Sequence, residues 1–194
     1  MSVTSAVKSG HSIGLSDFNA AELTKDDSTG VTYGAVVSIP EIISINIEPN
    51  NAEANLYADD SNVDTANTLS EFNLSIELAQ LPLEYRAWLL GHTFSGGKII
   101  ASATDTAPYV GISFTTLKSD GTKRYFKFTK VKFQEPNENP QTKGDQINFQ
   151  TATINAKAIY RSYDKEAYEF ADANEGYTDG ATWNQFPAIT PPSP

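Results

Sequence analysis

The sequence predicts a mainly β protein: an antiparallel β-sandwich or split barrel with one short helix at about residues 82–90 and extended loop or arm elements. Three observations carry this. Apolar and polar residues alternate with period two in several runs, the pattern of half-buried antiparallel strands. Gly- and Asp-containing clusters separate those runs, as hairpin turns do. One segment alone has helical spacing with signals at both ends.

Residues 1–12 are small and polar (Ser2, Thr4, Ser5, Ser9, Ser12) and read as a flexible arm, with structure expected from Ile13-Gly14-Leu15. Asp26 to Gly30 is a turn cluster. Ile43, Ile45 and Ile47 alternate with Ser44, Asn46 and Glu48, and Phe72, Leu74, Ile76 and Leu78 alternate with Glu71, Asn73, Ser75 and Glu77. One face of each strand is therefore apolar and the other wet. The helix is read from Pro82 at its first position, Leu83, Ala87 and Leu90 on one stripe widened by Trp88, and Gly91 at C′. It is expected to plug one open end or face of a sandwich.

A strand is read near Lys98 to Ser102, and Val110, Ile112 and Phe114 alternate with Gly111, Ser113 and Thr115. Ser119-Asp120-Gly121-Thr122 then turns that strand into Lys123–Phe133, because Asp-Gly tolerates the positive φ of a tight hairpin. Phe133 to Gly144 is a polar loop with Pro136 and Pro140, and a strand is expected from Gln146 to Ile159. Residues 13–160 form the β domain. Residues 161–194, acidic and Pro-ending, read as a tail that orders only against a partner.

Charge narrows the function classes. Fourteen Lys and Arg against 24 Asp and Glu leave a net charge of −10, unsuited to gripping nucleic acid through its phosphates. No cysteine is present, which excludes disulfides, cysteine-based zinc sites and thiol nucleophiles. No run approaches the roughly 20 apolar residues of a membrane-spanning helix, and Met1 to Gly14 lacks the apolar centre of a secretory signal. From Asp26 to Tyr85 there are eleven acids and no Lys, Arg or His, whereas Lys118 to Lys143 holds seven bases against three acids. Such a subunit, acidic on one side and basic on one edge, is suited to meeting copies of itself.

Motifs for chemistry are weak. Asp60, Asn62 and Asp64 with Glu71 resemble a calcium loop, but Thr65 stands where glycine is required. A polar β-turn connection is the expected reading there. His11 and His92 have no zinc-type spacing, and His92 after Gly91 is expected to serve the helix end. Gly96-Gly97 precedes a strand and so makes no phosphate loop, and no G-x-S-x-G elbow occurs. Lys143-Gly144-Asp145 reads as a turn, and the sequon at Asn73 falls within a strand. Lys123, Arg124, Lys127, Lys130 and Lys132 interleave with Tyr125, Phe126 and Phe128. A single-strand stacking surface has this composition, but the expected reading is an edge hairpin with protective lysines, or one meeting the acidic side of a neighbouring subunit.

An ordered set of short motifs completes the picture: Gly14-Leu15, Tyr33-Gly34, Leu56-Tyr57-Ala58-Asp59-Asp60, and Leu81-Pro82-Leu83-Glu84 leading to Leu90-Gly91-His92. Glu135-Pro136 follows, then Thr142-Lys143-Gly144-Asp145 leading to Phe149-Gln150-Thr151. In this order and spacing, over roughly residues 13–160, the chain resembles the major tail proteins of long, flexible-tailed bacteriophages. More distantly it resembles the tube proteins of contractile tails and type VI secretion. Its N-terminal arm and its Pro-rich end depart from the family pattern.

The resemblance implies a non-enzymatic virion protein without cofactors, made in the host cytoplasm. Six copies form a ring whose inner strands join into one barrel, and rings stack into a tube. The tube encloses the tape-measure protein, meets terminator or tip proteins, and passes DNA as cargo. A long loop, around Leu56–Ser70 or Phe133–Gly144, makes ring-to-ring contacts. Six copies at −10 give about −60 per ring, which repels passing DNA. Glu41, Glu48, Glu71 and Glu77 are the candidate lumen-facing acids. Asp59, Asp60, Asp64, Lys123, Lys127, Lys130, Lys132 and Lys143 are the candidate subunit contacts. Two other classes stay open: a carbohydrate-binding or adhesin-type β-sandwich, with Tyr163, Tyr168, Tyr177 and Trp183 as its aromatic candidates, and a carboxylate-dependent hydrolase needing an acidic pair in a cleft.

Overall fold

A computed structural model describes residues 10–58, 61–138 and 151–190, and for 52–58 and 61–68 it describes the backbone. Strands β1 (Ser12–Asp27), β2 (Gly30–Ser38), β3 (Ile42–Ala58) and β4 (Ser61–Leu78) lead to helix α1 (Leu83–Leu90). A small hairpin of β5 (Thr93–Ser95) and β6 (Lys98–Ile100) precedes β7 (Tyr109–Lys118), β8 (Lys123–Phe133), β9 (Ala152–Ala158) and β10 (Tyr168–Asp172). Eight strands form one antiparallel sheet in the order β2-β1-β7-β8-β9-β4-β3, with β10 also paired to β8. Mainly β architecture with a single helix among the described residues is thus as the alternation predicts.

The sheet forks along β8. Val131 to Phe133 pair with β9, while Arg124 to Phe128 pair with β10 on the same edge. On the apolar face, Phe72, Leu74, Ile76 and Leu78 of β4 are buried, as expected, together with Val110, Ile112 and Phe114 of β7. Phe128, Val131 and Phe133 of β8 and Ile154 of β9 share that core with Leu89 and Leu90 of α1. Burial of side chains this size contributes roughly 1.5–3 kcal/mol each, so this face is the main source of stability. Around Asp120-Gly121 the hairpin closes as predicted: Gly121 has φ 83, and the Lys118 N–H donates to Thr122 O at 2.8 Å.

Five expectations need correction. First, the pairing of β3 with β4 shifts register between Ile42 and Ser44, so Ile43 turns outward and Ile42, Ile45 and Ile47 pack on the core. An extra residue at a bulge reverses which side chains face inward. Second, Pro82 is the N-cap rather than the first helical residue; the buried stripe is Ala87, Leu89 and Leu90, and Leu83 is exposed. Gly91 does adopt the left-handed C-cap, at φ 74.

Third, β8 is an interior strand, flanked by β7 on one side and by β9 and β10 on the other. Its lysines therefore do not protect an edge. Fourth, β7 is buried on both faces: Ser113 and Thr115, expected to be wet, are 0% and 2% exposed. Fifth, the cover over that second face is the segment expected as a partner-dependent tail. Residues 161–190 fold back on the sheet through β10, through Trp183 (3% exposed), and through an antiparallel bridge between Val31 and Ile189. Gly30 and Gly111 permit the approach. A Cβ on Gly30 would lie 2.3 Å from Ile189 O, and one on Gly111 would lie 2.5 Å from Phe186 Cε1. Ion pairs fix the segment: buried Lys118 with Asp172, Arg161 with Asp164 and Glu166, and Lys130 with Asp26, which also accepts the Ser162 and Tyr163 N–H groups.

Candidate functional site

The wet face of β3, β4 and β9 assembles three of the four predicted lumen acids. Cross-strand register sets them in rows: Ser44 beside Glu77 and Thr153, Asn46 beside Ser75 and Asn155, Glu48 beside Asn73 and Lys157, Asn50 beside Glu71. The apolar alternation that buries Leu74 and Ile76 is what forces these residues to the opposite face. Local hydrogen bonds orient the carboxylates. Asn46 Nδ2 donates to Glu48 at 2.8 Å; Ser44 and Thr151 hydroxyls donate to Glu77 at 3.1 and 2.7 Å. Lys157 Nζ donates to Glu71 at 2.7 Å and Asn50 Nδ2 at 3.2 Å, and these bonds hold the Glu71 carboxyl below its ordinary range. Glu41 lies outside these rows, in the connection before β3, at φ 64.

This face is not uniformly acidic. The third row continues onto β8 and β7, where Lys132 stands opposite Lys157 and Tyr109 opposite Lys132. Glutamates thus cluster toward β3 and β4, lysines toward β8 and β9. A hollow of about 270 Å³ is lined by Glu48 and Lys157 together with the amides of Asn46, Asn73, Gln134 and Asn155 and the Ser75 hydroxyl.

Beyond Leu69 the β3–β4 hairpin leaves the sheet. Strand β9 supports β4 only from Phe72 to Leu78, and among the described residues the outermost tether from outside the hairpin is Tyr160 Oη donating to Leu69 O at 3.3 Å. Residues 52–58 and 61–68 continue as a two-stranded arm, paired Ala52–Thr68 through Ala58–Ser61, to which no other strand adds among the described residues. At about 3.4 Å per residue its eight-residue β4 limb projects about 27 Å. The expected Leu56–Ser70 loop is therefore largely paired strand. Asp64 sits in it; Asp59 and Asp60 lie outside the described residues, as do Lys143 and the rest of the 139–150 segment.

That geometry also removes the calcium reading. Asn62 and Asp64 lie in an extended strand, and seven residues of strand put Asp64 about 23 Å from Glu71, which is itself bound by Lys157. Among the described residues no cluster of acids and histidines could hold a metal ion.

The basic strand is spent largely within the chain. Lys123 pairs with Asp17 at 3.0 Å and Lys130 with Asp26 at 2.7 Å. Buried Lys127 donates to Gln185 O at 3.2 Å and lies 4.7 Å from the Trp183 ring. Burial, the largest influence, lowers the Lys127 pKa. The aromatic candidates do not form one cluster: Trp183 is buried against Tyr125 and Tyr177, whereas Tyr168, on β10, is exposed and packs edge-on against Phe72. Sequence reasoning missed this because it treated Trp183 and Tyr177 as tail residues.

His92 does more than finish the helix. Its backbone N–H donates to Ala87 O at 2.8 Å, as a capping residue should, but its ring bridges two carboxylates. Nδ1 meets Asp105 at 2.8 Å and Nε2 meets Glu135 at 2.5 Å, while Arg86 binds Glu135 and Glu138. Glu135 first, then Asp105, raise the His92 pKa. Helix α1 thereby clamps the start of the connection from β8 to β9. The only sequence signal for this was Glu135-Pro136 itself. No protein-family model matches the chain, and no curated protein matches it.

Proposed function

We propose that this chain is a structural subunit of a bacteriophage tail tube, forming hexameric rings that stack, enclose a tape-measure protein and conduct DNA without gripping it. One observation carries the reading: the β3–β4 arm, about 27 Å of paired backbone outside its own sheet. A lone two-stranded ribbon is marginal in water, so the arm is made to be completed by another molecule. Of the two segments considered for ring-to-ring contact, this arm projects. The start of the other, residues 134–138, is clamped to α1 through His92 and Arg86.

Charge and edges support the same reading. Among the described residues the sheet edge at β3, and that at β2 beyond the Val31–Ile189 bridge, carry no further strand; such edges invite pairing unless covered, and a ring of copies would cover them. The Glu48, Glu71 and Glu77 face is the candidate lumen wall: its carboxylates repel DNA phosphates, and Glu71 pairs with Lys157, one of the two lysines that share the face. Terminator and tip proteins would cap the ends, and the site of action is the virion, after assembly in the host cytoplasm. The test is sedimentation of the full chain beside a variant whose residues 53–66 are replaced by a two-residue turn. Stacking should be lost while the shortened chain keeps its thermal stability. Equal assembly by both proteins removes the arm from the mechanism.

A further inference from the structure

Lys132 of β8 and Lys157 of β9 are directly opposite one another in the sheet. Like charges in that arrangement are destabilising, and the chain relieves them unequally. Lys157 pairs with Glu71 and the nearby Lys130 with Asp26. Half-buried Lys132 makes no ion pair among the described residues and has only the Tyr109 ring, 5.3 Å away, which it shares with Lys130 at 4.8 Å. The remaining acids of this face lie too far off to serve. Glu48 is in the same cross-strand row but three strands away, about 14 Å, and Glu77 is four residues along β4 from that row, about 13 Å. Both distances exceed the roughly 8 Å over which charges act at physiological salt. Around Lys132 the wall is therefore locally positive, although the face as a whole is acidic. The two lysines, Tyr109 and Gln134 border a hollow of about 280 Å³, and the phenol and the amide add further hydrogen-bond donors.

We infer that Lys132, with Lys157 beside it, is a contact point for a phosphodiester, and that its occupant is the backbone of double-stranded DNA passing along this face. This rests on the tube reading above and divides the candidate lumen wall into a repelling side, at Glu48 and Glu77, and one attracting spot. An anion between the two ammonium groups relieves their mutual repulsion, which no described side chain does for Lys132. Lysine meets a phosphate as a point charge, and backbone contacts carry no sequence information, so such a spot treats every stretch of the cargo alike.

The experiment is NMR of the lysine side-chain signals of the full chain, titrated at low salt with a short DNA duplex and, separately, with a poly-glutamate peptide of equal charge. Lys98 and Lys165, which also make no ion pair among the described residues, are internal controls. The duplex should shift Lys132 and Lys157 more than either control, and more than the peptide does. Duplex affinity followed by fluorescence anisotropy should fall with salt, and Lys132→Gln should reduce the slope of log affinity against log salt by about 1. Lys132→Arg should keep the wild-type slope. Lys132→Gln should melt no lower than wild type, because it ends the like-charge pair. Absence of duplex binding by wild type at low salt, equal shifts at all four lysines, an unchanged slope in Lys132→Gln, or a peptide response as strong as that to DNA overturns the contact and leaves the tube reading standing. Ring formation is scored separately by negative-stain microscopy: duplex contact at Lys132 in a chain that never forms rings refutes the tube reading and, with it, the lumen as the place of contact.

Discussion

Replacing Trp183 by alanine separates a folded C-terminal segment from a loose tail. Trp183 is 3% exposed; its indole N–H donates to Phe126 O at 3.1 Å, and its ring sits 5.5 Å from Tyr125 and 5.3 Å from Tyr177. Removing a buried Trp costs roughly 3–5 kcal/mol through lost transfer energy and the cavity left behind. The lost contact with Lys127, 4.7 Å from the ring, falls within that figure. Domains of this size hold only about 5–15 kcal/mol in total, so the variant should melt roughly 6–20 °C lower. Urea unfolding followed by circular dichroism is the assay, with Trp183→Phe as control; keeping a ring but losing the N–H, it should cost about 1–2 kcal/mol. A loss below about 1 kcal/mol for the alanine variant would mean that residues 161–190 do not pack on the sheet, and the buried second face of β7 would be refuted with it.

Three further outcomes follow from the same contacts. Burial alone pushes the Asp26 carboxyl up, but Lys130 and the Ser162 and Tyr163 N–H groups outweigh it and hold it at about 2. Its folded value lies below the unfolded one, so about 2 kcal/mol of stability is present above pH 4 and is lost as pH falls toward 2; Asp26→Asn should flatten that part of the stability profile, and an unchanged profile contradicts the assignment. His92 has the opposite sign: raised by Glu135 and Asp105, it stabilises fully below about pH 6.5 and loses that contribution as pH rises through its folded value. Hydrogen exchange in residues 134–138, corrected for intrinsic rates, should therefore quicken with rising pH in wild type and be fast at every pH in His92→Ala. Gly111→Ala should cost about 1–3 kcal/mol, because its new Cβ meets Phe186 and Tyr33 at 2.5 and 2.9 Å; a neutral effect in urea unfolding means that the C-terminal cover sits farther from β7.

The sequence disclosed elements governed by local patterns and hid those governed by distant ones. Phe72 to Leu78, the Asp120-Gly121 turn and the Gly91 cap were legible because each signal spans a few residues. The C-terminal segment was not, because Trp183, Phe186 and Ile189 are irregularly spaced among Gly and Pro and gain their burial from β7, β8 and β2. A second signal was available in β7: Gly111 and Ser113 are small where Phe186 and Asn184 approach. Net charge likewise identified a basic stretch without revealing that Asp17, Asp26 and Trp183 occupy most of it. In the candidate site, alternation assigned Glu48, Glu71 and Glu77 to one face. Only the register of β8 with β9 brought Lys132 and Lys157 together.

Electron microscopy of the purified full-length chain in negative stain, across a concentration series, addresses assembly most directly. The tube reading predicts six-fold rings in end view and stacked tubes of uniform width in side view, increasing with concentration and absent from the arm-shortened variant. Particles of monomer size at every concentration would contradict it.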